Sequence, residues 1–170
     1  MASLVEELLK VLSKEREEYE VLYGLSCDKR DAIVEKDISL LENISDSEQQ
    51  VSFRLRELEK SRISIMKDMS VVLGHDNESL TVSEIVGLLE KQPEERAALE
   101  SARDDLVDAA GRMQFMNEQN KMLLEQAVEM VEFDLNLLKG LRQAPETANY
   151  NKNAYNTGDL LPEGGFDFKQ

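Results

Sequence analysis

Residues 99–141 read LESARDDLVDAAGRMQFMNEQNKMLLEQAVEMVEFDLNLLKGL, and this stretch decides the fold. Apolar side chains recur at heptad spacing through it, at Leu99, Leu106, Met113, Met116, Leu123, Ala127, Met130, Leu137 and Leu141. That spacing gathers them on one face of an α-helix. A helix of about 45 residues spans roughly 65–70 Å, too long for an ordinary globular helix, so the face predicts a seam shared with other helices in a coiled coil.

Working back from this helix, Pro93 suits a first helical turn, where its missing N–H costs nothing. Thr81 and Glu84 have capping-box spacing and open a short helix, and Gly74, His75, Asp76 and Asn77 supply turn chemistry before it. A second stripe, Leu41, Ile44, Val51, Leu55, Leu58, Ile65, Met69 and Val72, begins after Asp37, a side chain able to cap the helix. The first stripe is Val5, Leu8, Leu12, Tyr19 and Leu22. The expected fold is all-α: an antiparallel coiled-coil bundle of three long helices and one short one, at about 3–35, 38–72, 82–91 and 94–141. Beyond it, residues 142–170 read as an irregular, nearly neutral tail. Pro145, Pro162, Gly164, Gly165 and several asparagines disfavour a helix there, while Tyr150, Tyr155, Leu160, Leu161, Phe166 and Phe168 remain to touch something.

Composition narrows the function. The 170 residues carry a formal net charge of -15, which repels phosphate backbones and anionic lipid and argues against nucleic-acid and membrane partners. Charged residues such as Glu6, Glu7 and Lys10 fill the amino-terminal segment, so neither a signal peptide nor a membrane span is expected and the chain should stay in the cytoplasm. The single cysteine, Cys27, fits a reducing compartment. His75, the only histidine, sits in a turn, and the glycines form no phosphate loop. No catalytic, metal or cofactor constellation emerges, and no enzyme activity is expected.

Several polar residues occupy seam positions: Glu15, Ser26 and Lys29, then Glu48 and Arg62, then Asn120. If the first hairpin turns near Lys36 and the last helix starts beside Val72, then Lys29, Glu48, Asn117 and Asn120 come to one level. They either form a buried polar layer that excludes wrong registers, in which Glu48 meets Asn120, or lie at the edge of the seam and reach water. Met113, Met116, Met122 and Met130, with Phe115 and Phe133 near them, either fill the core or line an adaptable groove for a partner's helix.

The run Lys29-Arg30-Asp31-Ala32-Ile33-Val34-Glu35-Lys36-Asp37, followed by Leu40, Leu41, Ile44 and Glu48-Gln49, resembles the signature of the FlgN family of flagellar export chaperones. Asn117, Asn120, Leu123 and Leu124 are similar to that family's Asn-x-x-Asn-x-x-Leu-Leu segment, and Tyr155-Asn156-Thr157-Gly158 to its post-helical segment. The resemblance implies a cytoplasmic chaperone that binds hook-associated (hook-filament junction) proteins of the FlgK and FlgL type. It would prevent their premature assembly and deliver them to the export gate. Family members bind cargo chiefly through the carboxy-terminal region, and a tyrosine there is associated with gate docking. Carried over, this points to Leu135, Leu138 and Leu141 and to Tyr150 or Tyr155, with Leu160 and Leu161 adding apolar surface in a tail that covers the bundle, or a neighbour, until cargo displaces it. The rival reading is a structural coiled-coil protein whose heptads drive homo-oligomerisation without a client.

Overall fold

A computed structural model describes residues 2–75, 80–90 and 92–143. Four helices follow in order: α1 (Ala2–Glu35), α2 (Ile38–Val72), α3 (Val82–Leu88) and α4 (Pro93–Gln143). Among the described residues there is no strand, as the all-α reading requires. The chain divides into two compact units, residues 1–128 and 129–170.

The turn between α1 and α2 takes two residues, and each has a distinct task. Lys36 adopts φ 58, a left-handed conformation unusual for a side chain with a Cβ. It lets the Lys36 N–H reach the Ile33 carbonyl at 3.2 Å and the Asp37 N–H reach the Ala32 carbonyl at 2.9 Å, the paired bonds of a Schellman stop. Asp37 then starts the next helix, its carboxylate accepting from the Leu40 N–H at 2.9 Å. With no slack in the connection, α1 and α2 lie antiparallel, fastened by Arg54 gripping both oxygens of Glu18 at 2.7 and 2.8 Å. The end of α2 repeats the stop with a glycine: Gly74 sits at φ 81 and the His75 N–H bonds the Ser70 carbonyl at 2.8 Å.

At that end the apolar core collects. Val5, Leu8 and Leu12 of α1, Ile65 and Met69 of α2, Ile85 and Val86 of α3 and Leu99 of α4 are all buried in one cluster. The capping box opens α3 as expected, with Thr81 Oγ1 accepting from the Glu84 N–H and the Glu84 carboxylate accepting from the Thr81 N–H. The bounds of α3 and α4 and, within residues 1–128, one seam position differ from the periodicity reading. α3 ends at Leu88 rather than 91, because Leu89 leaves the helix to bury its side chain in the core. α4 begins at Pro93 and runs to Gln143, past the expected 94–141. Val72 is 57% exposed instead of continuing the α2 stripe, since the Schellman turn supplies Leu73 to the core in its place. Within residues 1–128, α4 runs alongside α1 in the same direction and antiparallel to α2. Ser26 is bonded to Asn117 and Asn120, and the Arg112 guanidinium lies over the Tyr23 ring, 5.7 Å from its centroid.

Candidate functional site

The middle of the α1–α2–α4 seam is polar. Arg62 donates to Glu15 at 3.0 Å, and Lys29 pairs with Glu48 at 2.8 Å, each of the latter two side chains 20% exposed. Ser26 supplies both bonds to α4: its hydroxyl donates to Asn117 Oδ1 at 3.3 Å, and its carbonyl accepts from Asn120 Nδ2 at 2.7 Å. Lys29 thus meets Glu48, and Asn117 and Asn120 both meet Ser26, one helical turn before Lys29 on α1. The expected meeting of Glu48 with Asn120 does not occur: Glu48 takes the Lys29 ammonium, and Asn120, 2% exposed, turns its amide to the α1 backbone and leaves Oδ1 unpartnered.

Between these groups the seam opens into a cleft of about 520 Å³, with Glu15, Tyr19, Arg62 and Met113 in its wall. Glu15 is the most costly group in it. Burial raises its pKa above the usual 4.5, the Arg62 hydrogen bond and charge pull it back, and Oε2 has no partner. Tyr19 is pushed upward too, by burial first and by the Glu15 charge second. Both Glu15 and Arg62 stood out in the sequence as polar breaks in the seam, but not as a pair. The hairpin geometry that sets Lys29 beside Glu48 also sets Glu15 beside Arg62, and that was the available signal.

The methionines divide between the two readings. Met116 is buried and Met113 half-buried, whereas Met122 and Met130 are 55% and 57% exposed. The last residues of α4 that are half-buried are Leu123, Leu124 and Ala127. From residue 129 to residue 142 every side chain is exposed, and this segment holds Met130, Val131, Phe133, Leu135, Leu137, Leu138 and Leu141 at 50–67% exposure. Met130, Leu137 and Leu141, expected in the seam, are exposed instead.

Leu135, Leu138 and Leu141, the residues the family resemblance singled out, lie on this open segment, and Val131 and Phe133, which it did not name, lie beside them. Of the covering tail read at residues 142–170, Arg142 and Gln143 continue α4 instead, and the rest, with Tyr150, Tyr155, Leu160 and Leu161, lies outside the described residues. Seven large apolar side chains on about 21 Å of helix make a surface suited to another amphipathic segment rather than to chemistry on a small molecule. Among the described residues, no group of His, Cys, Asp and Glu is placed to hold a metal ion, and no helix is long and apolar enough to cross a membrane.

Compared with known proteins, the chain matches no curated protein and no solved structure. A family model described as FlgN protein matches residues 1–158. By a match spanning all four helices, the chain belongs to the FlgN family, a family of flagellar export chaperones.

Proposed function

We propose that this protein works in the cytoplasm as the export chaperone of hook-associated proteins, binding their helical terminal segments on the end of α4 and handing them to the export gate. One observation carries the reading: seven large apolar side chains between residues 129 and 142 are each at least half exposed on a helix that belongs to an export-chaperone family. An apolar surface of that size is costly in water and is maintained where a partner covers it. Cargo bound there has its own apolar helix faces buried, which keeps it from assembling before export. In this role Leu160 and Leu161 add apolar contacts to the cargo, and Tyr150 or Tyr155 serves the gate. The chain carries out no catalysis in this role.

The test is titration calorimetry with a purified hook-filament junction protein. Burying an apolar side chain is worth about 1.5–3 kcal/mol, so Leu138→Asp with Leu141→Asp lowers affinity by a factor of about 100 or more. Far-UV circular dichroism stays unchanged, because both side chains are exposed. Wild-type affinity in that double variant would remove α4 as the cargo site. Deleting residues 144–170 changes cargo affinity if the tail covers or extends the surface; equal affinity assigns the tail no part in binding.

A further inference from the structure

The apolar side chains of residues 129–142 are too widely spread for one partner helix. At 100° per residue they cover an arc of about 200°, and all but Phe133 sort into two adjacent strips with three-and-four spacing. One strip, Met130, Leu137 and Leu141, continues the heptad of Leu123 and Ala127. The other is Val131, Leu135, Leu138 and Arg142, a second seam at spacings of four, three and four. We propose that this second strip pairs antiparallel with the same strip of a second copy of the chain.

Charge complementarity selects that occupant. Beside the second strip, Glu132 and Lys139 lie along one edge and Asp134 along the other. Within the helix, Glu132, Asp134 and Lys139 have no opposite charge three or four residues away, the distance at which helical neighbours pair. An antiparallel dimer supplies the missing partners. With Leu135 of one copy packed on Leu138 of the other, the edge residues of like position face each other, so Glu132 meets Lys139 twice by symmetry. Arg142 closes each end of the seam over Val131, with its guanidinium in reach of Asp134 of the second copy. A parallel pair would set Arg142 against Arg142 inside the seam and leave Glu132 without a cation. The strip is short, about 16 Å between Val131 and Arg142, so the dimer is weak and forms with rising concentration. In the dimer Met130, Leu137 and Leu141 stay open to a client, whereas a client that also covers Leu135 and Leu138 displaces the second copy; the self-pairing itself does not depend on who that client is.

Light scattering on the full chain, with no client present, tests the pairing. The mass rises with concentration from the 19.3 kDa of one chain toward twice that value. Glu132→Lys turns two attractive contacts into repulsive ones and weakens the dimer about tenfold or more, and Glu132→Lys combined with Lys139→Glu restores it. A wild-type mass that does not change with concentration overturns the proposal, as does a double variant that stays as weak as the single one. Restoration by Asp134→Lys with Lys139→Asp instead overturns the antiparallel arrangement. Because cargo is absent, none of these outcomes bears on the chaperone reading.

Discussion

Replacing Arg62 by methionine strands a buried carboxylate. Glu15 has a side chain only 4% exposed, one oxygen bonded to Arg62 at 3.0 Å and the other without a partner. Stripping one member from a fully buried ion pair costs about 3–5 kcal/mol. Arg62 is 27% exposed and the neighbouring cleft can admit water, so about 2 kcal/mol is expected at pH 7.5. The loss has an escape route, because Glu15 can take up a proton. Its folded pKa lies above the ordinary 4.5 through burial, so the folded state binds protons more tightly than the unfolded chain. The associated stability is fully present below pH 4.5 and disappears as the pH rises through the folded pKa. Without Arg62 that pKa rises further, and the penalty shrinks on acidification to pH 5. Urea unfolding followed by circular dichroism at the two pH values measures it. A second variant, Glu15→Met with Arg62→Met, recovers most of the loss by removing both charges together. A penalty below about 0.5 kcal/mol at pH 7.5, or one equal at both pH values, refutes the reasoning.

Lys36→Gly relieves the left-handed strain at φ 58 while loosening the unfolded chain, and it stabilises the protein by about 0.5–1 kcal/mol in the same urea assay. At the other junction, the bonds Thr81 gives Glu84, the backbone one first, hold that carboxyl below 4.5, so its contribution is present above pH 4.5 and is lost as the pH falls. Glu84→Gln therefore gives a shallower loss of stability in an acid titration below pH 4.5, with little change in slope above it.

What was legible in the sequence is local chemistry that completes itself within four residues. Asp37 caps α2, Thr81 and Glu84 form their box, and Pro93 opens α4, since each signal needs only its own turn of chain. The family windows are of the same kind, and the family match spans both. Periodicity identifies a helix face but is blind to what lies opposite it, which is why Met130, Leu137 and Leu141 were assigned to a seam and are exposed. Val72 was misplaced for a related reason: a turn can bring a residue from outside the helix, Leu73, to the place the heptad reserves. Axial level was readable to about one turn, since Lys29 meets Glu48 while Asn117 and Asn120 meet Ser26, one turn before Lys29. Rotation about the helix axes was not, so Asn120 was matched to a side chain when its partner is the Ser26 carbonyl.

Asn120 also bears on why a seam with so few polar residues keeps one register. Heptads repeat, so an apolar α4 could slide along the α1–α2 hairpin by seven residues and bury nearly as much. The hairpin itself is locked by its two-residue turn, but α4 is joined to it through α3 and a longer connection. At the actual register, Ser26 meets Asn117 and Asn120; a slide of one heptad would set Asn120 against an apolar layer, with its amide donors unsatisfied, at a cost of about 1–3 kcal/mol. This register also fixes how much of α4 the hairpin covers, ending at Leu123, Leu124 and Ala127. Asn120→Leu removes the lock. It raises the urea midpoint, because a buried amide with one unpartnered oxygen gives way to apolar packing, and it lets α4 populate neighbouring registers. With Cys27 replaced by serine, a cysteine in place of Ser26, whose backbone carbonyl still serves Asn120, reports the slide when a second cysteine replaces its partner Asn117 or, one heptad on, Leu124. A short bismaleimide links position 26 to position 117 alone when Asn120 is present and to both positions when leucine replaces it. Linkage confined to position 117 in the leucine variant would mean that α3 and the connections, not the buried asparagine, hold α4 in place.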